Sequence, residues 1–392
     1  MKKKIAILGS TGSIGKILIK LIESNKNKFE VVLLTANKNH KTLLKQAKSL
    51  SVKNIILTNK TKYKILEEKS KNSKIKIYNN FDQLDKILNK KIDYVMSSIM
   101  GIKGLEPTIK IIKYTNKIAI ANKESIICGW NLINKELKKN KTEFIPVDSE
   151  HFSVWFAMKN NSIKKIEKIY LTASGGSLYN KPISELKNIS KEKVLNHPTW
   201  KMGKKISIDS ATMINKVYEI IEAKNIFEIP YKNLDILIHP KSYVHSLVKF
   251  NNGLIKIIAH DTTMKIPIFN TLFDGKDYSL PTSKINIKCL NNLDFHKVDL
   301  FKYPMVKLLN YLPQNHSLFE TIIVSANDTL VDLFLRNKIK FLDIHNELFK
   351  FIKNKEFSKY KIKKPSNLDE IINLNKYIST KIEKKYTNFN HI

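Results

Sequence analysis

The sequence has 392 residues, of which 42% are hydrophobic, and it carries a formal net charge of +34. This length exceeds what one hydrophobic core normally serves, so we expect two or three domains. Its apolar runs are shorter than the roughly 18 residues of a membrane span, and the start "MKKKIAIL" lacks the apolar region of a signal peptide. Cys128 and Cys289 fit neither a zinc nor a redox spacing. These features predict a cytoplasmic protein that does not bind a membrane.

The net charge alone would suit a nucleic-acid-binding protein, because a basic surface attracts phosphate without any sequence code. However, Arg336 is the only arginine, and proteins that read base edges rely on arginine for bidentate contacts. The lysines are spread from end to end among asparagine and isoleucine, which is the composition that an AT-rich coding sequence produces. We therefore expect no nucleic-acid partner and keep DNA binding as the alternative from a different functional class.

Residues 1–147 alternate short apolar runs with helical patterns. The runs "KIAILG", "FEVVLLTA", "NIILT", "DYVMSSI" and "KIAIA" are typical of buried strands, and segments such as "HKTLLKQAKSL" have helical spacing. Strands that alternate with helices predict a parallel sheet with helices on both faces. We therefore expect an α/β fold that begins with a Rossmann-like domain over these residues.

A glycine turn, "GSTGSIG", follows the first predicted strand and precedes a helix. Gly9, Gly12 and Gly15 allow the backbone to approach a pyrophosphate, and the N–H groups that open the helix favour an anion. The spacing is one residue longer than the usual dinucleotide-binding pattern. It is not a Walker A loop, because Ser10 stands at the first required glycine. The turn predicts a dinucleotide cofactor.

The end of the second strand indicates which dinucleotide binds. An NAD site normally has an acid there for the ribose 2′-hydroxyl, whereas this strand is followed by Asn37, Lys38 and Asn39. Uncharged and basic side chains suit a 2′-phosphate, so we expect NADPH. The alternative is that Lys38 is one more surface lysine in a lysine-rich chain.

Two later strand ends carry charged side chains. "KIAIANKES" ends at Asn122, Lys123 and Glu124, and because parallel sheets bind ligands at the carboxyl ends of strands, Lys123 is a candidate cation over the reacting centre. A solvated pair of Lys123 and Glu124 is the alternative.

The second strand end is "TEFIPVDSEH". If this segment is a strand, Asp148 and Glu150 lie on one face and their like charges require a cation between them. The alternative is that they are two ordinary acids at a solvated strand end.

The middle of the chain, residues 148–275, mixes strands such as "KIYLTAS" with helices such as "MINKVYEIIEAK", so we expect a second α/β domain with catalytic and connective roles. Asp209, Ser210 and Thr212 are residue types that cap a helix start, where free N–H groups would receive a phosphate.

The helix that follows contributes a third carboxylate. Helical spacing places Asn215, Lys216 and Glu219 on one face. Glu219, together with Asp148 and Glu150, would form an all-oxygen cluster that suits Mg²⁺ or Mn²⁺ rather than zinc. The spacing does not distinguish Glu219 from Glu222.

The last third of the sequence changes character. Regular patterning fades over residues 276–303, which we interpret as a linker. Over residues 304–392, "PMVKLLNYL", "ETIIVSANDTLVDLFLRN", "LDIHNELFKFIKN" and "NLDEIINLNKYISTKIEKK" repeat apolar residues at helical spacing. This predicts an all-helical C-terminal domain.

The motifs "GSTGSIG", "ANKES", "PVDSEH", "LTASGG", "HPTWKMGKKISIDSATMINK" and "IHPKSYVHS" occur in this order over almost the whole chain. In this respect the sequence resembles the 1-deoxy-D-xylulose 5-phosphate reductoisomerases, which open the non-mevalonate isoprenoid pathway. The resemblance implies a homodimeric enzyme that uses NADPH and Mn²⁺ or Mg²⁺, with Co²⁺ as a further metal. It implies a substrate that is rearranged and reduced to 2-C-methyl-D-erythritol 4-phosphate.

The resemblance also implies roles for individual residues. The metal ligands would be Asp148, Glu150 and Glu219, which chooses Glu219 over Glu222, and Lys123 would complete the catalytic set. Substrate-binding residues would be Lys123, Ser149, Glu150, Ser174, His197, Trp200, Ser210, Asn215, Lys216 and Glu219. The NADPH site would be lined by Gly9, Thr11, Gly12, Ser13, Ile14, Asn37, Lys38, Asn39, Asn122, Glu124 and Gly203. A mobile lid over about residues 174–204 would carry Trp200 and Met202.

The closest alternative is another Rossmann-type NADP-dependent reductase, such as a semialdehyde dehydrogenase. That class needs a catalytic cysteine, and neither Cys128 nor Cys289 stands in a context typical of a nucleophile. Some positions depart from the family pattern: Asn37 replaces a common glycine, and Ser177 and Leu178 replace the usual "PF" after "SGG". None of these departures is at a proposed metal ligand.

Overall fold

The computed structural model describes residues 1–69, 74–159, 161–273 and 278–387. Within these residues the chain forms two compact units. The first unit contains Met1–Ile126, Asn131–Phe152 and Met264–Pro281, and the second contains Ile127–Trp130, Ser153–Thr263 and Thr282–Ile392. The three-domain division of the sequence, with boundaries after residues 147, 275 and 303, stays a prediction.

Two sheets organise the described strands. The strands are β1 (Lys3–Leu8), β2 (Phe29–Ala36), β3 (Asn54–Leu57), β4 (Lys76–Tyr78), β5 (Ile92–Ser97), β6 (Thr115–Ile120), β7 (Glu143–Pro146), β8 (Ile166–Ala173), β9 (Leu234–Ile238), β10 (Val244–Phe250), β11 (Ile255–Ala259) and β12 (His296–Lys297). One sheet has the order β4-β3-β2-β1-β5-β6-β7 and is parallel throughout, and the other has the order β11-β10-β8-β9-β12. The parallel sheet confirms the α/β fold.

Helices connect and cover these strands. The α-helices are α1 (Ser13–Glu23), α2 (His40–Ser49), α3 (Lys60–Lys69), α4 (Leu84–Ile87), α5 (Leu105–Ile112), α6 (Lys123–Asn140), α7 (Ser149–Ala157), α8 (Lys191–Leu195), α9 (Lys204–Ala211), α10 (Ile214–Phe227), α11 (Lys265–Phe273), α12 (Ile287–Leu290), α13 (Leu318–Leu335), α14 (Phe341–Ile352) and α15 (Leu368–Thr387). Short 3₁₀ helices occupy Ile102–Gly104, Ile163–Lys165, Ile183–Asn188, Tyr231–Asn233, Pro304–Tyr311 and Lys355–Lys361.

The first unit has its core between the parallel sheet and its helices. Apolar side chains of β1 and β2, such as Ile5 and Leu34, are fully buried with Leu18 and Ile22 of α1. Helix α11 belongs to this core, and the ring of Phe273 meets that of Phe29 edge-on at 5.3 Å between centroids. The sequence pattern places α11 in the middle domain, but the apolar face of this helix is buried by the N-terminal unit.

The second unit combines the mixed sheet with the C-terminal helices. Strand β8 pairs in parallel with β9 and antiparallel with β10. Helix α13 begins with a capping box, in which Ser317 accepts the N–H of Phe319 and Glu320 accepts the N–H of Ser317. The predicted helical C-terminal region is confirmed, although "PMVKLLNYL" forms a 3₁₀ helix and not an α-helix.

The predicted linker over residues 276–303 contains two short regular elements, and its role as a linker stays a prediction. Residues 276 and 277 lie outside the described residues. The remainder includes α12 and the strand β12, which pairs antiparallel with β9 through His296 and Ile238. Elements of four and two residues are too short to show a periodic apolar pattern, which is why the sequence did not reveal them.

Among the helices of the described ranges, we find none that combines the length and the apolarity needed to cross a bilayer.

Candidate active site

The glycine turn after β1 is shaped by two close backbone approaches. Gly9 has φ +82°, and a Cβ on it would lie 2.8 Å from the carbonyl oxygen of Ser98. A Cβ on Gly15 would lie 2.5 Å from the carbonyl oxygen of Gly9. Gly12 precedes α1, and no side chain of the described residues caps that helix at this position. Thr11, Ser13 and Ile14 complete the turn, so backbone N–H groups at the start of α1 can face an anion.

The end of β2 carries the exposed residues Asn37, Lys38 and Asn39, as predicted. Two of them also support the fold. The side-chain amide of Asn37 donates to Thr58 Oγ1 at 2.8 Å, and Asn39 caps α2 by accepting the N–H of Thr42 at 3.2 Å. The side chain of Lys38 is exposed, and the segment between β2 and α2 contains no acidic residue.

The end of β6 is held by Asn122, which is 4% exposed. Its carbonyl oxygen Oδ1 accepts the N–H of Ser125 and so caps α6, and its amide group donates to the carbonyl oxygens of Ile99 and Gly101. Lys123 and the buried Glu124 form the first turn of α6. Because Asn122 fixes the start of this helix, the position of Lys123 is fixed with it.

The expectation that Asp148 and Glu150 alternate along one strand is wrong. Strand β7 ends at Pro146 and α7 begins at Ser149, so a strand-to-helix turn separates the two acids. The turn nevertheless brings them together: a carboxylate oxygen of Asp148 and one of Glu150 lie within 4.8 Å. Asp148 Oδ1 accepts the N–H of Ser149 at 3.0 Å, and Ser149 Oγ donates to Glu150 Oε2 at 2.6 Å.

Four of the predicted site segments in the first unit therefore lie at one edge of the parallel sheet. Strands β1, β2, β6 and β7 run parallel, so the residues that follow them lie at the carboxyl edge of one sheet. Lys123 Nζ lies 3.0 Å from Asp148 Oδ2 at this edge.

In the second unit, Ser174 follows β8 and receives two hydrogen bonds. The N–H of Gly176 donates to Ser174 Oγ at 3.0 Å, and His197 Nε2 lies 2.9 Å from the same oxygen. His197 Nδ1 accepts the N–H groups of Thr199 and Trp200, so Nε2 carries the proton of the neutral ring. Burial lowers the pKa of His197, which favours this neutral form. The hydroxyl proton of Ser174 is then left to donate to a ligand.

The predicted lid includes the irregular stretch between α8 and α9. Ser177 Oγ donates to the carbonyl oxygen of Val194 at 2.6 Å, which ties the start of the lid to α8. Trp200 and Met202 are half-buried, whereas Gly203, just before α9, is exposed.

The prediction that Asp209, Ser210 and Thr212 cap a helix start is wrong for Asp209 and Ser210, whereas Thr212 Oγ1 accepts the N–H of Ile214, the first residue of α10, at 3.5 Å. Asp209 and Ser210 lie in the last turn of α9, and α10 begins after Met213, whose φ of +65° makes the break between the two helices. Asp209 is 1% exposed and pairs with Lys205 Nζ at 2.9 Å. Ser210, next to it, is half-buried.

The predicted face of α10 is confirmed. Asn215 Nδ2 donates to Glu219 Oε1 at 2.5 Å, and Lys216 Nζ donates to Glu219 Oε2 at 2.5 Å. Lys216 is 4% exposed and Glu219 is 1% exposed, and Lys216 also donates to the carbonyl oxygen of Thr172 at the end of β8. A buried carboxylate with these partners is held in one orientation, since a buried charge requires a paired charge and hydrogen bonds. Glu222, one turn further on, is also buried.

The sequence did not reveal the groups that support α9. The side-chain amide of Asn327, in α13, donates to Asp209 Oδ1 at 2.9 Å, and Lys205 Nζ also lies 3.0 Å from Asp328 Oδ1. More than 100 residues separate these partners in the sequence, so local spacing contained no signal for them.

Family models cover most of the chain. A model described as 1-deoxy-D-xylulose 5-phosphate reductoisomerase matches residues 5–129, and one described as its C-terminal domain matches residues 144–227. A third, described as DXP reductoisomerase C-terminal domain, matches residues 261–380.

Relatives and solved structures agree with these models. The 1-deoxy-D-xylulose 5-phosphate reductoisomerase of Pelagibacter ubique is 58% identical over 97% of this chain and 98% of its own length, and that of Clostridium kluyveri is 36% identical over 97% and 100%. The Zymomonas mobilis reductoisomerase in complex with NADPH superposes with a TM-score of 0.89 at 30% identity, covering 98% of this chain and 99% of its own. A DOX-P reductoisomerase in complex with NADPH, fosmidomycin and magnesium has the same TM-score at 29% identity, with 99% of each chain covered. The chain belongs to the 1-deoxy-D-xylulose 5-phosphate reductoisomerase family.

Proposed function

We propose that this protein is an NADPH-dependent oxidoreductase that rearranges and reduces 1-deoxy-D-xylulose 5-phosphate to 2-C-methyl-D-erythritol 4-phosphate, with a divalent metal ion. The observation that carries the proposal is the full-length likeness to this family, at 58% identity over 97% of the chain. Two groups of side chains supply the charges that this chemistry needs. Lys123 contacts Asp148, and Asn215 and Lys216 both donate to Glu219 on one face of α10.

NADPH is the proposed cofactor and supplies the hydride. The turn at Gly9, Gly12 and Gly15 suits a pyrophosphate, because it brings the backbone close and no side chain in the described part of the chain caps the start of α1. Lys38 is exposed after β2, and its charge would pair with a 2′-phosphate. The rest of the proposed cofactor site consists of Thr11, Ser13, Ile14, Asn37, Asn39, Asn122, Glu124 and Gly203. A relative of the same fold is known with NADPH bound.

The proposed metal ligands are Asp148, Glu150 and Glu219. Their donor atoms are all carboxylate oxygens, which suits Mg²⁺ or Mn²⁺, with Co²⁺ as a further candidate. A divalent cation held there would stabilise negative charge that develops on the substrate's oxygens. Within the first unit, Lys123 and Ser149 orient the carboxylates of Asp148 and Glu150.

The phosphate of the substrate is the proposed ligand of the second unit's polar groups. Ser174 has a hydroxyl proton to donate, and His197 holds that hydroxyl in place. Asn215 and Lys216 supply further donors on α10, with Ser210 at the end of α9. Ser149 and Lys123 would contact the sugar's oxygens. Residues 174–204 would close over the bound substrate and exclude water, with Trp200 and Met202 at the tip.

A homodimer in the cytoplasm is the proposed working form, without a nucleic-acid or membrane partner. Strand β11 is at the edge of the mixed sheet, and Leu254, Ile255 and Ile257 are 66%, 55% and 47% exposed there, which suits pairing with a second copy. Neither Cys128 nor Cys289 is part of a disulfide, which suits a reducing compartment. Mass measurement by light scattering tests this: Ile257→Lys should shift a dimer toward monomer, and a native monomer would contradict it.

The activity is tested by following NADPH absorbance with 1-deoxy-D-xylulose 5-phosphate, with and without a metal chelator. We expect NADPH to be consumed only when metal is present. Consumption with a semialdehyde but not with the sugar phosphate would favour the other class of Rossmann reductase. Salt-sensitive retention on DNA together with absent NADPH binding would favour a nucleic-acid-binding protein.

A further inference from the structure

The tip of the lid contacts a segment that contributes no residue to the proposed metal, substrate and cofactor sites. The ring of Trp200 meets the ring of His245 edge-on, with 6.2 Å between centroids and 73° between planes. Next to it, Thr199 Oγ1 lies 3.4 Å from Ser242 Oγ. Ser242 and His245 both belong to the motif "IHPKSYVHS"; Ser242 lies in the turn from β9 to β10, and His245 lies near the start of β10. Two neighbouring lid residues, Thr199 and Trp200, therefore contact the same short segment at the start of β10.

His245 in turn lies on a second histidine. Its ring stacks on that of His260 with 3.7 Å between centroids and 18° between planes. His245 Nε2 donates to the carbonyl oxygen of His260 at 3.1 Å, and His260 Nδ1 donates to the carbonyl oxygen of Asp261 at 2.8 Å. The N–H of His260 donates to the carbonyl oxygen of Tyr243 at 3.0 Å. Backbone carbonyls thus fix the planes of both rings.

Three rings therefore form a series from the lid to the sheet. His245 and His260 are 3% and 8% exposed, whereas Trp200 is half-buried and its neighbours Thr199 and Lys201 are exposed. Ordinary core packing would also bury two histidines. It would not require the planes of the two rings to be parallel and fixed. Nor would it explain why the ring of Trp200, from an irregular stretch of the lid, packs edge-on against His245.

We propose that the stacked pair of His245 and His260 is a platform on which Trp200 docks, and that His260 is a positioning residue for the reaction. The ring of His260 holds the ring of His245, and His245 holds the lid at Trp200. The docking depends only on the contacts among these three rings, while its effect on the reaction rests on the proposed function.

Variants of His260 in the full-length protein test the docking without substrate. His260→Ala removes the ring, His260→Leu fills the volume without a planar face, and His260→Phe restores a planar ring. The matched control is His345→Ala, a histidine on α14. The emission of Trp200 is obtained as the difference between each protein and the same protein carrying Trp200→Phe. Tryptic cleavage after Lys201 provides an independent measurement.

We expect the Ala and Leu variants to shift the Trp200 emission to the red and to raise the cleavage rate after Lys201 about two- to tenfold, the range of one aromatic pair. The Phe variant and the His345 control should match the native protein. If the Ala variant does not fold, the Leu variant decides. Native behaviour of the ringless variants, or a Phe variant that behaves like the Leu variant, overturns the platform.

Kinetics then separate positioning from chemistry. The ringless variants should raise KM for the sugar phosphate by a similar two- to tenfold factor and change kcat by less than about twofold, because the contact favours lid closure. A lower kcat with an unchanged KM would overturn the positioning role. If the native protein lacked the activity, the proposed function would fail. The Trp200 emission and the tryptic cleavage after Lys201 would still show whether His245 and His260 form the platform.

Discussion

Lys123 Nζ lies 3.0 Å from Asp148 Oδ2, so the first residue of α6 meets the residue just before α7. The strands that precede them, β6 and β7, are neighbours in the parallel sheet. The two side chains are only 12% and 27% exposed. The pair is therefore screened less than a surface ion pair, and it orients the Asp148 carboxylate at the edge where we propose that the metal and substrate bind.

Asp148→Asn keeps the shape of the side chain and removes one charge from the proposed metal site. We expect turnover to fall by about 100-fold or more, since loss of a group that stabilises developing charge has effects of that size. A titration with Mn²⁺ should show weaker binding as well. Asp85→Asn, at an exposed position of α4, is the control. Native turnover in Asp148→Asn at an unchanged metal concentration would contradict the assignment.

Lys38→Glu tests which cofactor is bound. The variant replaces a cation beside the proposed 2′-phosphate with an anion, so we expect KM for NADPH to rise about tenfold or more and KM for NADH to change little. Steady-state measurements with both cofactors give the comparison. Lys53→Glu is the matched control, because Lys53 precedes β3 at the amino end of that strand. Equal use of NADPH and NADH by the native protein would remove the basis of this assignment.

Glu320 provides a prediction about pH and stability. Its side chain is fully buried, and burial raises its pKa to about 7, although the hydrogen bonds from Ser317 oppose this. The charged Lys224 also opposes the increase, and the pKa of Tyr231 is raised by burial and by Glu320. The folded state therefore holds a proton that the unfolded state releases, and stability contributed by Glu320 falls as pH rises from about 4.5 to about 7.

Glu320→Gln should remove this loss. Across that window, we expect the free energy of unfolding of the native chain to fall by up to about 3 kcal/mol relative to the variant. Thermal midpoints of both proteins at several pH values measure the difference. His316 acts in the opposite direction, because burial lowers its pKa to about 4 and its stabilising contribution rises with pH up to about 6.5. The native chain should therefore gain stability relative to His316→Asn over that range. For Glu320, parallel curves of thermal midpoint against pH for the native protein and Glu320→Gln would contradict the prediction.

The sequence predicted those parts of the site that depend on regular geometry. The residues after β2 and β6 could be placed because parallel strands end at one edge of a sheet, and the face of Asn215 and Glu219 followed from helical spacing. The sequence did not predict where helices begin or break when a single residue determines the boundary. Helix α7 begins at Ser149, directly after Asp148, and a left-handed Met213 separates α9 from α10.

Contacts across the fold were also beyond reach of the sequence. His245 stacks on His260 because β10 pairs antiparallel with β11, with Val244 opposite Ala259. Asn327 reaches Asp209 because α13 packs near α9. Periodicity identifies the face of an element but does not say which elements pair or in what register, so these supporting residues require the structure.

Glu150→Gln tests whether one site serves both the rearrangement and the reduction. Ser149 Oγ donates to Glu150 Oε2, and a carboxylate oxygen of Glu150 lies within 4.8 Å of one of Asp148, so Glu150 belongs to the proposed metal-binding group in the first unit. If the substrate's oxygens and its reacting carbon are held by the same residues in both steps, the free aldehyde that the rearrangement yields should be reduced by the native enzyme when it is supplied directly.

Glu150→Gln should then slow turnover of both the sugar phosphate and the aldehyde, each by about tenfold or more, because loss of one carboxylate weakens the hold on the metal for both reactions. Stopped-flow measurement of NADPH oxidation with each substrate gives the two rates. Glu143→Gln, an exposed position at the start of β7, is the matched control and should leave both near native. If Glu150→Gln abolished turnover of the sugar phosphate but reduced the aldehyde at the native rate, Glu150 would serve the rearrangement alone, and a single site shared by the two steps would have to be given up.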